Sequence, residues 1–193
     1  MHTILNQKLI TTSKIIHVML QILLMSLIFM IIIPWVFPTS ELGKFLLSIQ
    51  GFYLAIESAH KNINEFMASI TLTSRFFGVL GSFIALLPLL LGTLIMLKLS
   101  ANYIKGNVFN LNNAKLYQKL GIIYLISAIF LQPIYQMLFC ICVTINNPVG
   151  KRFIAFSIDV SNLNAIFFAL VLIIIGQVMK LGHKISQEQE LTV

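Results

Sequence analysis

The sequence predicts an all-α integral membrane protein, a four-helix bundle with an amphipathic outer loop helix and a helical cytoplasmic tail. Three observations predict it. Hydrophobic residues make up 58% of the 193 residues. Charged residues make up only 10%, against about 25% in soluble domains. The apolar residues also run in unbroken stretches instead of alternating with polar ones. A chain so poor in charge cannot cover a core in water, whereas lipid accepts such stretches. A single membrane domain over 1–193 is the expected organisation.

Four segments, about 15–37, 76–97, 120–144 and 160–179, contain no Asp, Glu, Lys or Arg. Each reaches the roughly 20 residues needed to cross a ~30 Å hydrocarbon layer as a helix. The first follows Lys8 and Lys14, as a signal peptide would. Its apolar run exceeds the ~7–15 residues of a signal core and no small-x-small site follows, so a retained helix is expected. Pro34, Trp35, Phe37 and Pro38 close it, with Trp35 placed as an anchor at the membrane interface.

The connection 38–75 carries a helical repeat. Lys44, Ser48, Gly51, Ala55 and Ser58 recur every three or four residues, and Phe45, Leu46, Ile49, Phe52, Tyr53 and Ile56 fill the remaining face. That pattern predicts an amphipathic helix lying on the outer surface or capping the bundle. Glu57 and His60 have the spacing of half a di-iron site, with Glu65 beyond. Such a site needs a second unit that the sequence lacks, so a solvated helix face is expected and no metal.

In the second span Gly78, Gly81, Ser82, Ala85 and Gly92 form a seam of small residues, and the fourth offers Ala165, Ala169 and Gly176. Close backbone approach between helices is the expected use of both. Pro88 and Pro133 should bend their helices. Asn110, Asn112 or Asn113 can cap the helix that leads through Lys115 into the third span. Cys140 and Cys142, two apart on a helix, point to nearly opposite sides and read as small buried thiols. The fourth span is expected to continue past Met179 as a polar helix through Gln187 to Glu190.

Two polar pairs interrupt the apolar faces. His17 and Gln21 lie four apart on the first helix, and Gln132 and Gln136 four apart on the third. They could line an intramembrane path for a proton or small solute, which would make the chain a small transporter or channel subunit. Hydrogen bonding between helices is the favoured reading, because no intramembrane carboxylate is present to relay protons.

The formal net charge is +7, from 13 Lys and Arg against 6 Asp and Glu. The basic residues cluster beside apolar segments, which points to anionic lipid headgroups and away from direct nucleic-acid binding. Lys8, Lys14, Lys98, Lys105, Lys115, Lys119, Lys180 and Lys184 fall on one side of the four-span topology. Lys44, Lys61, Arg75, Lys151 and Arg152 fall on the other. No acid occurs between Glu65 and Asp159. Both ends are therefore placed in the cytoplasm. The four lysines of the second connection also leave a lipid-sensing role open, at about 1 kcal/mol each near anionic headgroups. His2, His183 and the few hydroxyls form no nucleophile–base pattern, and Gly150, Lys151 and Arg152 lack the glycine loop of a phosphate site. No enzyme, catalytic residue or cofactor is expected.

Two stretches share a recognisable pattern. One reads Leu99, Tyr103, Lys105, Gly106, Val108, Phe109, Leu116 and Gly121; the other reads Gly176, Lys180, Gly182, Glu188, Glu190, Leu191, Thr192 and Val193. With four spans of this spacing, the chain resembles the DUF2975 family of small bacterial membrane proteins. It departs from that pattern in Gln189 and Glu190, where the family commonly shows Asn and Asp. The resemblance implies a bacterial plasma membrane. Because such proteins are often encoded beside a small helix-turn-helix regulator, it also implies a cytoplasmic protein partner. Lys105, Gly106, Phe109, Leu191, Thr192 and Val193 are the candidate contacts. Gly106 would permit a tight turn, Phe109 would anchor a contact or insert at the interface, and the Leu191–Val193 end would add to a groove that captures a terminal carboxylate; the alternative is that Phe109 and Leu191 fold back on the bundle. Homo-oligomerisation stays open.

Overall fold

The computed structural model of the protein describes residues 2–155 and 160–191, and the regular structure among them is helical throughout. In chain order the helices are α1 (His2–Val36), α2 (Glu41–Ile49), α3 (Phe52–Ser58), α4 (Ile63–Ala68), α5 (Leu72–Ile104), α6 (Leu111–Ile126), α7 (Gln132–Thr144) and α8 (Val160–Leu191). A π-helical segment, Ser127–Leu131, joins α6 to α7. Four stretches are long and apolar enough to cross a membrane: Gln7–Val36, Leu72–Ile104, Leu111–Thr144 and Asn162–Ile185. Each outruns the charge-free segment read from sequence, because flanking Lys, Asn and Gln satisfy a helical backbone as well as apolar residues do.

The contacts sort into two compact units. One comprises Met1–Met25, Leu89–Ala128 and Ser161–Val193; the other comprises Ser26–Pro88 and Ile129–Val160. Their compositions differ sharply. The first holds eight lysines against Glu188 and Glu190; the second holds five Lys and Arg against Glu41, Glu57, Glu65 and Asp159. We call them the lysine unit and the aromatic unit.

The aromatic unit is built around Phe52, which is fully buried. Its ring meets Trp35 edge-on at 5.6 Å between centroids, Phe139 edge-on at 5.1 Å, and Phe66 at 6.1 Å. Trp35 is only 3% exposed and donates its Nε1–H to Ser82 Oγ at 2.9 Å. It is therefore a core residue with a satisfied donor, not the interfacial anchor its place at a span end predicts. The small seam of α5 serves these rings. A Cβ at Gly78 would run into the Trp35 ring, and one at Gly81 would lie 2.7 Å from Phe139. Here the seam makes room for aromatic rings, whereas close backbone approach was expected.

The single amphipathic helix expected over the first connection is instead broken at Gly51, whose φ of +79° suits a residue without Cβ. The break separates α2, which buries Gly43 and Leu47, from α3, which buries Phe52, Ala55 and Ile56 and packs on α7. Ala55, placed on the polar face by periodicity, lies inside, while Phe45 and Ile49 are exposed. Gln50 fastens the break by donating Nε2–H to Met30 O at 2.9 Å. Lys61 holds the next turn, donating to Val143 O at 2.7 Å and Asn147 Oδ1 at 2.9 Å with its ammonium 5.6 Å from the Phe66 ring centroid. Burial lowers its pKa below the ordinary lysine value. Cys140 and Cys142 are free and buried.

The lysine unit has a smaller apolar core, centred on Ile95, Leu99 and Leu120. Here backbones do come close. A Cβ at Gly121 would lie 2.6 Å from Ala169 O, and one at Gly176 would lie 2.9 Å from Ala114 O, so α6 and α8 touch at both points. Gly92 instead accommodates Tyr124. The buried Asn162 donates Nδ2–H to Ala128 O at 3.1 Å. That carbonyl lies within the π segment. Its i+5 partner in π geometry would be Pro133, which has no N–H to give, so a side chain from α8 supplies the donor.

Candidate functional site

The loop between α5 and α6 holds the residues Lys105, Gly106 and Phe109 singled out by sequence. Helix α5 ends in a Schellman arrangement: Asn107 N–H donates to Asn102 O at 3.0 Å and Gly106 N–H to Tyr103 O at 3.0 Å. Gly106 adopts φ +79°, the left-handed conformation that this motif favours and that glycine takes without strain. Asn110 then caps α6, its side chain accepting from Asn113 N at 2.9 Å.

Asn113 fixes the loop from inside. It is completely buried. Its Oδ1 accepts from Asn102 Nδ2 at 2.6 Å, while its Nδ2 donates to Asn107 O at 2.6 Å and Val108 O at 2.9 Å. One amide thus ties the end of α5, two loop carbonyls and the start of α6 together. The Tyr103 and Tyr117 hydroxyls, 3.0 Å apart, make a second cross-link between the same helices. Against this pinned frame, Phe109 is 71% exposed and Lys105 is exposed. Lys98, Lys115 and Lys119 are exposed as well. Sequence reading offered three asparagines as alternative caps and missed the division of labour. The available signal was the i, i+3 spacing of Asn110 and Asn113, which lets one cap the backbone N–H of the other.

Of the candidate tail contacts, Leu191 is the last residue of α8, and Thr192 and Val193 lie outside the described residues. The loop and tail candidates all belong to the lysine unit.

The two polar pairs fall in different units. In the lysine unit His17 Nδ1 lies 2.8 Å from Ser100 Oγ, and Gln21 Nε2 lies 3.4 Å from His17 Nε2. Ser100 spends its hydroxyl proton on Leu97 O at 2.9 Å, which assigns the donor role to His17 Nδ1–H and leaves Nε2 to accept from Gln21. His17 is half-buried and Gln21 exposed. In the aromatic unit Gln132 is half-buried beside Pro133. Gln136 is buried and lines a cavity of about 120 Å³ with Ala55, Ser58, Phe139 and Cys140. Glu57 and His60 are exposed, and among the described residues no three His, Cys, Asp or Glu side chains gather as metal ligands.

Residues 8–193 match the family described as "Protein of unknown function (DUF2975)", and the chain belongs to that family. No curated protein and no solved structure matches it.

Proposed function

We propose that this DUF2975 member is a non-enzymatic protein of a bacterial plasma membrane that docks a cytoplasmic protein on the loop between α5 and α6. The end of the chain, residues 187–193, is the second contact in this proposal. One observation carries the reading: Asn113 holds the loop rigid from within while Phe109 stands 71% exposed at its tip. A large aromatic on a pre-ordered loop loses little conformational freedom on binding and makes an effective anchor. Exposed Lys98, Lys105, Lys115 and Lys119 surround it in sequence, so the partner presents an acidic face. A small helix-turn-helix regulator, which the family resemblance implies, would be held or released at the membrane by such a contact.

The orientation belongs to the same proposal. Eight lysines against two acids in the lysine unit, and five basic against four acidic residues in the aromatic unit, support a cytoplasmic lysine unit. A fluorescent-protein fusion after Val193 should fluoresce, and an alkaline phosphatase fusion at the same point should be inactive; the reverse pattern rejects the orientation. For the partner, the neighbouring genes are read for a small helix-turn-helix protein, and the full chain is co-purified with it. Phe109→Ala and deletion of 187–193 should each reduce recovery at least tenfold. Undiminished recovery with both changes rules out this surface.

A further inference from the structure

We propose that the lysine unit carries a binding site for the phosphate of an anionic membrane lipid, in the groove between α6 and α8. An open groove of about 370 Å³ is lined by Gln118 of α6 and by Gln177, Lys180, Leu181 and Lys184 of α8. Its position follows from a contact already described. At Gly176 the two helices touch, a Cβ there falling 2.6 Å from Gln118 Cγ and 3.0 Å from Gln118 N. Lys180 and Lys184 lie one and two turns further along α8, on the same face as Gly176. Lys180 and Lys184 are both exposed, so this face of α8 is uncovered beyond the crossing.

The donor set suits a phosphate. Two ammonium groups supply charge, and the amide N–H groups of Gln118 and Gln177 supply directed hydrogen bonds to oxygen. Lys115, one turn before Gln118 on α6, and the neighbouring Lys119 are exposed and add positive potential. Glu188, one turn after Lys184, and Glu190 are the acids of this helix end. The surroundings favour a lipid over a soluble phosphate. Ile174, Val178 and Leu181 form one exposed stripe on α8 (58%, 63% and 60%), and Leu181 also lines the groove, so bare apolar surface borders the cations on one side. An acyl chain along that surface would bring its headgroup phosphate to Lys180 and Lys184, the arrangement expected of basic pockets between membrane helices.

The test uses the full chain in neutral detergent, with native mass spectrometry counting adducts of phosphatidylglycerol, phosphatidylcholine and inorganic phosphate. Wild type should retain phosphatidylglycerol in preference to phosphatidylcholine. Lys180→Gln/Lys184→Gln should weaken phosphatidylglycerol binding about tenfold. Lys98→Gln/Lys105→Gln, with the same loss of charge elsewhere in the unit, should weaken it less than twofold. Circular dichroism confirms that each variant is helical; should the first double variant lose its helicity, Gln177→Leu replaces it and should weaken binding about threefold. Equal losses in the two double variants would reduce the site to a diffuse charge effect and overturn it. Inorganic phosphate binding as tightly as the lipid, and lost with Lys180 and Lys184, would overturn the lipid assignment.

Discussion

Two phenylalanines lie on short segments outside the four long spans, and their fates separate the two units. Phe52 of the aromatic unit is fully buried among Trp35, Phe66 and Phe139, whereas Phe109 of the lysine unit stands 71% exposed on a loop whose polar groups are satisfied by asparagine. The aromatic unit orders its connection by apolar packing. The lysine unit orders its connection by hydrogen bonds, and so can leave its large apolar side chain free. An ordered loop with an unburied aromatic is the observation on which the proposed docking surface rests, and it belongs to the lysine unit.

The largest effect expected is at Phe52. Phe52→Ala should cost about 3–5 kcal/mol. Cys140 and Cys142 are buried in the same unit, so a thiol-reactive dye followed on heating in detergent reports its opening directly. A midpoint within about 2 °C of wild type would break the comparison, because the connection would then not depend on its rings.

Asn113→Ala comes next. It removes three side-chain hydrogen bonds and strands the Asn102 amide and two loop carbonyls, at about 2–3 kcal/mol. Amide hydrogen exchange over residues 106–109 should accelerate at least tenfold. Unchanged exchange would mean that the loop is ordered by something other than this amide.

A smaller, pH-dependent effect is expected at Lys61. Burial lowers its pKa in the folded chain below the unfolded value of 10.5. The unfolded chain therefore holds the proton more tightly, and stability should rise with pH between the lowered folded value and 10.5. Lys61→Met should flatten that rise in denaturation curves recorded from neutral to alkaline pH. A slope that persists in the variant would assign it to another group.

The smallest effect is at Phe109, where truncation to Ala should leave stability within about 0.5 kcal/mol of wild type. A destabilisation matching that of Phe52→Ala, seen in the same melting experiment, would erase the distinction between the two side chains.

The four spans were legible because length and lack of charge decide the matter in a hydrocarbon layer, and those quantities are written in sequence. The family pattern was legible for a similar reason: its residues cluster at 99–121 and 176–193. What stayed hidden were particular side-chain pairings, far apart in sequence for Trp35 and Ser82 and close for Asn113. Trp35 beside prolines at a span end looks like an interfacial anchor until Ser82 is seen to accept its N–H. The small residues of α5 predict a neighbour at close range but do not say that it is an aromatic ring. Periodicity across Gly51 reads as one helix because a helical wheel has no means of marking a left-handed residue. In the loop, the turn at Gly106 was foreseen from its lack of a Cβ. Asn113 was not, since its three side-chain bonds go to atoms that sequence alone does not bring near.

The π segment at Ser127–Leu131 has a consequence for how this family can vary. Such a segment amounts to one residue inserted into a helix. Deleting a single residue there would close the bulge and leave the helix beyond it facing nearly as before, because the wider π turn takes up one extra residue in almost the same sweep about the axis. Gln136, Phe139 and Cys140, all now inward, would stay inward. The third span thus holds one surplus residue without re-indexing its second half. Relatives that lack the surplus can keep the same second half, and an alignment gap at 127–131 should coincide with an unchanged pattern of small and aromatic residues downstream.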